Sequence, residues 1–176
     1  MDNEVLKVLR ERRSVRRYKA EQITDEELLA VLDAGTYAPT GMGYQDPWIV
    51  AVQKPDVIAQ LVRMNAKVMG VSSNPYYDAP TIVLVFASRP EKWENGVCDG
   101  SLVLGNMMIA AHAIGLGACW INREREMFAT DEGKALMRAF GLPDGLVGVG
   151  SIALGYADQP LPPAKPRKPD YYRIVR

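Results

Sequence analysis

Between residues 160 and 169, five of ten positions are proline: Pro160, Pro162, Pro163, Pro166 and Pro169. Each ring fixes φ and removes a backbone donor, so the segment can form neither a helix nor a central strand and must run extended. It leads into Tyr171-Tyr172-Arg173-Ile174-Val175, which has strand composition. A strand beyond a stiff spacer needs a sheet edge to pair with. At about 3.1 Å per residue the spacer reaches roughly 30 Å, far enough to leave its own core. The arm is therefore expected to cross to a second copy of the chain.

The preceding sequence alternates helix and strand signals. Val5, Leu6, Val8 and Leu9 recur at helical spacing, which predicts an amphipathic helix over 3–13. Thr24-Asp25-Glu26-Glu27 is a capping box flanked by Ile23 and Leu28; the helix it opens is expected to stop near Gly35. Trp48 to Val52 reads as a strand, and Pro55 suits the first turn of a helix ending near Gly70. The β-branched run from Thr81 to Ala87 reads as a strand buried on both faces. From Gly100 to Asn122 no residue is charged, long enough to suggest a membrane span, but Gly115-Leu116-Gly117 breaks the run. It divides into a helix over 101–114 and a strand from Ala118 to Ile121. A helix from Asp131 to Phe140 and a strand from Val147 to Tyr156 follow. The expected class is α+β, with one domain over 1–156 and a proline-rich arm over 157–176 that belongs to it.

At 176 residues the chain is long enough for one such core without disulfides. Its 21 basic residues balance its 21 acidic ones, which argues against nucleic-acid binding and against a polybasic membrane anchor. The acidic start, Met1-Asp2-Asn3-Glu4, is unlike a secretory leader, and the expected location is the cytoplasm. Cys98, His112 and Cys119 lack paired zinc-ligand spacing, so no metal is expected. His112 is the only histidine and sits mid-helix, a poor place for a catalytic base. Gly148-Val149-Gly150-Ser151-Ile152-Ala153 has the letters of a dinucleotide loop, yet lies within a strand instead of opening a helix.

Against this neutral background, five arginines fall between Arg10 and Arg17. A basic helix end would explain some of them through the macrodipole. Arg12-Arg13-Ser14-Val15-Arg16 nevertheless extends past the helix and places a hydroxyl among guanidinium forks, a combination suited to a phosphate monoester. Ala38-Pro39-Thr40-Gly41-Met42-Gly43-Tyr44-Gln45-Asp46-Pro47 is a glycine-bearing polar loop entering a strand. Its glycines permit close approach to a flat ligand, and Gln45 offers a donor and an acceptor to a heterocycle edge. Lys165 and Arg167 form a second cationic group in the arm.

In this order, these motifs resemble the FMN-dependent nitroreductase family in its short single-domain form, over nearly the whole length. Asn65, Pro75-Tyr76-Tyr77-Asp78-Ala79-Pro80, Asp99-Gly100-Ser101-Leu102, Gly115 to Ile121 and Leu154-Gly155-Tyr156 complete the set. The resemblance implies a central mixed sheet flanked by helices, and a homodimer with FMN at the subunit interface. Arg12, Arg13, Ser14 and Arg16 would hold the phosphate, with Lys165 and Arg167 closing on it. Asn65 and the Trp120-Ile121 backbone would border the isoalloxazine ring, and Pro39, Thr40, Gly41 and Gln45 would come from the partner. It also implies that NADH or NADPH donates a hydride and that a nitroaromatic, quinone or similar conjugated electrophile accepts it, by a ping-pong mechanism. The chemistry is borne by the flavin, so no catalytic side chain is expected. The same site could run enone or reductive dehalogenation chemistry, or serve a non-catalytic nucleotide-binding protein. Tyr76, Tyr77 and Trp93 are expected to pack in the core or at its rim, with stacking on an acceptor or exclusion of water as the alternative. Two departures from the family pattern stand out: Gly43-Tyr44 where Asn and a basic residue are common, and Asp46, a negative charge near the cofactor mouth if exposed.

Overall fold

The computed structural model describes residues 3–176, and Met1 and Asp2 of the acidic start lie outside them. Four strands form one sheet in the order β1 (Trp48–Val52), β2 (Thr81–Ser88), β4 (Leu146–Gly155), β3 (Gly117–Ile121). All three pairings are antiparallel. The parallel component of the sheet is an isolated bridge between Ser14 and Ala118.

Strand β2 is buried at every position, as its unbroken apolar run predicts. Its side chains alternate between two cores. Ile82, Leu84 and Phe86 pack with Leu61, Met64, Met127, Phe128 and Leu136. Val83 and Val85 pack with Val31, Val103, Leu104 and Met107. One face is thus covered by α3 (Pro55–Met69), α5 (Glu124–Ala129) and α6 (Asp131–Ala139), the other by α2 (Asp25–Thr36) and α4 (Gly96–Ala113). The period-two alternation of a strand is what divides one apolar run between two layers.

Local signals set most boundaries. The Thr24 hydroxyl accepts from the Glu27 N–H and Glu27 Oε2 accepts from the Thr24 N–H, the reciprocal capping box expected from the sequence. Pro55 opens α3, and Gly70 closes it in the left-handed region at φ 73°. Helix α1 (Glu4–Glu11) ends sooner than predicted, and the chain then crosses to the sheet. Val15 donates its N–H to the Ala118 carbonyl at 3.1 Å. Tyr18 is buried, and its hydroxyl lies 2.8 and 2.9 Å from the carbonyls of Val15 and Ala153. Gly117 makes this crossing possible, because a Cβ there would stand 2.8 Å from Val15.

Two differences from the sequence-based expectation matter later. Helix α4 begins at Gly96, ahead of the expected 101, because Gly96 lies tight against the Ser88 carbonyl and extends the helix back to the end of β2. Helix α5 was not expected. It spans six residues, and its inward face is Glu124, Met127 and Phe128, too short an apolar signal to stand out between exposed Arg125 and Glu126. The uncharged run of 100–122 is divided between α4 and β3, and among the described residues no helix is long and apolar enough to cross a membrane.

The arm has no helix or strand from residue 158 onward, and Tyr171, Tyr172, Ile174 and Val175 are exposed, Val175 at 95%.

Candidate functional site

The arginine segment begins where α1 stops. Arg13 Nη1 turns back to the carbonyls of Arg10 and Arg12, 2.7 Å from each, and so occupies acceptors left open by the helix end. Arg13 Nε and Arg12 Nη1 are buried with no hydrogen-bond partner among the described residues. Two buried guanidinium donors without acceptors are costly, on the order of 1–3 kcal/mol for each unmet polar group. An oxyanion placed against them would meet that demand. Ser14 lies beside Cys119, whose thiol pKa is raised by burial and drawn back by the Arg16 charge, the Ser14 hydroxyl and Arg12. Arg16 is exposed, with its guanidinium 6.0 Å from the centroid of the Tyr77 ring. Arg17 faces elsewhere and pairs with Asp158 at 2.9 Å. His112 is partly buried; burial lowers its pKa, Glu11 opposes this, and Arg12 and Arg13 add to it, so its neutral form is favoured. It lies near the Arg12 and Arg13 side chains.

The second group lies around the exit of β3. The Trp120 indole packs over Gly150 and donates to Asn122 Oδ1 at 2.7 Å. Asn65, from α3, is fully buried. Its amide nitrogen donates to the Asn122 carbonyl at 2.9 Å and to the Tyr76 hydroxyl oxygen at 3.2 Å. Its Oδ1 accepts from Arg123 Nε at 2.7 Å. Tyr76 passes its proton side to Glu124 Oε1 at 3.1 Å, and Ser151 Oγ donates to the same oxygen. Glu124 is inaccessible to solvent, and its Oε2 has no partner. Burial pushes its pKa up to about 7; Ser151, the helix backbone, Tyr76 and Arg123 limit the rise. The Asn65 amide is thereby locked. Both of its donor hydrogens are used within the chain.

The third group is the loop before β1. Met42 at φ 54°, Gly43 at φ 68° and Gln45 at φ 50° hold it in left-handed conformations. Gly41 is required, since a Cβ there would lie 2.6 Å from the Trp93 ring. The loop is pinned from below by Asp99, whose carboxylate accepts from the Gly41 N–H at 2.9 Å and the Trp93 indole N–H at 2.8 Å. Tyr44 meets Trp93 edge-on with ring centroids 4.8 Å apart. Asp46 accepts from the Ser88 N–H and hydroxyl at 2.8 and 2.6 Å, so its charge serves to anchor the loop rather than to stand free at the mouth. Thr40 Oγ1 accepts from the Gln45 N–H, while Pro39 and the Gln45 side chain are exposed.

One chain brings the first two groups together but not the third. Ser14 bridges to Ala118, and Trp120, Ile121 and Asn122 continue the same strand edge. The 39–47 loop enters β1 at the opposite edge of the sheet, three strand spacings away, roughly 14 Å. The exit of β3 and the loop lie toward the end of the sheet where Phe86 pairs with Trp48 and Gly148, whereas the Ser14–Ala118 bridge lies toward the other end, where Ala118 pairs with Leu154 and Leu154 with Thr81. Lys165 and Arg167 are also apart: both are exposed, and the Arg167 guanidinium folds onto the Lys165 carbonyl at 2.6 Å. An open cleft of about 690 Å³ between α3 and residues 74–80 contains none of the sequence-predicted site residues.

Of the aromatic candidates, Tyr76 is 0% exposed and committed to Asn65 and Glu124, the core packing expected of it. Tyr77 and Trp93 are half-buried and retain accessible ring area. The sequence reading missed Asp99 as the loop's anchor, and Arg123 and Glu124 altogether. An acidic residue opening an otherwise uncharged helix was the available signal for Asp99.

A sequence model of the nitroreductase family matches residues 9–156. A crystal structure of a nitroreductase with bound FMN from Bacteroides fragilis superposes with a TM-score of 0.91 at 32% identity, covering 99% of this chain and 100% of that one. Another nitroreductase with bound FMN, from Desulfitobacterium hafniense, superposes with a TM-score of 0.88 at 25% identity and full coverage of both chains. The NADPH-flavin oxidoreductase of Vibrio harveyi is 26% identical over 183 residues, covering 95% of this chain and 71% of that protein.

Proposed function

We propose that this chain, which belongs to the nitroreductase family, is an FMN-dependent oxidoreductase that moves a hydride from NADH or NADPH to a nitroaromatic, quinone or similar conjugated electrophile. The observation that carries this is the pair of buried, unpartnered nitrogens Arg12 Nη1 and Arg13 Nε beside Ser14, donors that match a phosphate monoester. FMN, when bound, supplies the redox chemistry by accepting a hydride and releasing it to the acceptor.

The residues of the chain do the rest. Arg12, Arg13, Ser14 and Arg16 hold the phosphate, and Lys165 and Arg167 close on it. Asn65, buried and fixed by Tyr76 and Arg123, holds the Asn122 carbonyl next to the Trp120–Ile121 backbone that borders the ring. Pro39, Thr40, Gly41 and Gln45 reach the cofactor from a second copy, which explains why one chain holds them at the far edge of its sheet. The arm supplies the link. β1 is an edge strand that pairs only with β2 among the described residues, and Tyr171–Val175 is a strand sequence left unpaired among them. Residues 1–156 then form the FMN-binding domain, and 157–176 its exchanged arm. Two free thiols, Cys98 and Cys119, suit a reducing compartment such as the cytoplasm.

Donor and acceptor use one site in turn, so neither needs to be present while the other reacts. Initial rates measured with NADH and a benzoquinone should give parallel double-reciprocal lines. Lines that converge would contradict the shared site.

A further inference from the structure

Arg123 stands between β3 and α5 at φ 87° and ψ 6°, in the left-handed region. A side chain there costs on the order of 1 kcal/mol or more, which glycine would avoid. The guanidinium is also fixed in place: Nε donates to Asn65 Oδ1 at 2.7 Å, and the Asn65 amide is locked by Asn122 and Tyr76. Arg123 is half-buried and makes no ion pair among the described residues. Its neighbour Glu124 is buried and held toward its neutral form, so the positive charge is only partly balanced. A strained backbone, a guanidinium held at one nitrogen and an unspent charge coincide two residues beyond the segment that borders the ring.

We propose that Arg123, positioned through Asn65, is the cation that sets the reduction potential of the bound cofactor. This rests on the functional reading above. Uptake of one hydride, two electrons and one proton, leaves NAD(P)⁺ and adds one negative charge to the cofactor. A guanidinium held beside the ring favours that added charge, and favours it more strongly where water is partly excluded. The fork beyond Nε makes Arg123 a directed charge rather than a mobile one.

The test is spectroelectrochemistry on the FMN-loaded protein. Arg123→Gln should shift the reduction equilibrium about tenfold against the reduced form, which is about 30 mV for a two-electron couple. Arg123→Gly suits the left-handed backbone, keeps the turn, and should lower the potential equally. Arg123→Lys restores the charge and should recover most of the shift; a purely structural role would show no such recovery. A flavin-loaded Arg123→Gln protein with the wild-type potential would overturn this assignment and leave the functional reading intact. A wild-type protein that takes up no FMN would overturn both.

Discussion

Arg12→Ala should weaken FMN binding by roughly 10- to 100-fold while leaving riboflavin binding within about twofold of its original value. A hydrogen bond from a charged donor contributes about 1.5–3 kcal/mol, and each 1.4 kcal/mol is a tenfold change in affinity. Arg12 carries the argument because its Nη1 is buried without a partner and α1 does not depend on that side chain for its cap. Arg13 is a less clean target, since its Nη1 also serves the carbonyls of Arg10 and Arg12. Riboflavin lacks the phosphate, so comparing the two ligands in the two proteins isolates the phosphate–guanidinium contact. Arg17→Ala, at a guanidinium that pairs with Asp158, is the matched control and should leave the FMN-to-riboflavin ratio unchanged. Equal losses for FMN and riboflavin in Arg12→Ala would contradict the phosphate assignment.

Deleting Pro160–Arg176 should convert a dimer into monomers and reduce FMN affinity by more than 100-fold. Both effects follow from one geometry. The arm leaves Tyr171, Tyr172, Ile174 and Val175 exposed in its own chain, and β1 has a free edge. The deletion also removes Lys165 and Arg167 and, by separating the chains, takes away the loop containing Thr40, Gly41 and Gln45. Beyond Ala157, which the deletion leaves in place, no described residue of the arm belongs to either core cluster, so the domain itself should keep its helix content. A milder variant, Ile174→Asp with Val175→Asp, keeps the cations and breaks only the apolar contact. Sedimentation or light scattering on both variants reports the assembly. Dimers that retain flavin after the full deletion would exclude the arm from the interface.

Much of the fold was legible because its signals are local. The Thr24–Glu27 box, Pro55 at a first turn and the eight buried positions of β2 each follow from a rule about a few adjacent residues. The arginine cluster was legible for a different reason: five like charges in a balanced chain call for an explanation. What could not be read was the long-range polar wiring. Asp99 holds Gly41 across 58 positions, Asp46 holds Ser88 across 42, and Arg123 holds Asn65 across 58. Composition and periodicity do not show such pairs, because a buried carboxylate and an exposed one are the same letter. α5 escaped for a related reason. Its inward face is led by Glu124, a polar residue where an apolar one would have announced a helix. The place of Tyr76 in the core was legible from its ring, but its bond to Glu124 was not, because aromatic content says nothing about which way a hydroxyl is committed.

The most direct test of the FMN oxidoreductase reading is the visible spectrum of the purified protein, recorded without oxygen before and after NADH or NADPH is added. The expected result is a flavin spectrum, present as isolated or after incubation with FMN, that bleaches on adding the nucleotide and returns when a quinone is supplied. A protein that stays colourless after incubation with FMN, or a bound flavin that neither nucleotide reduces, would contradict it.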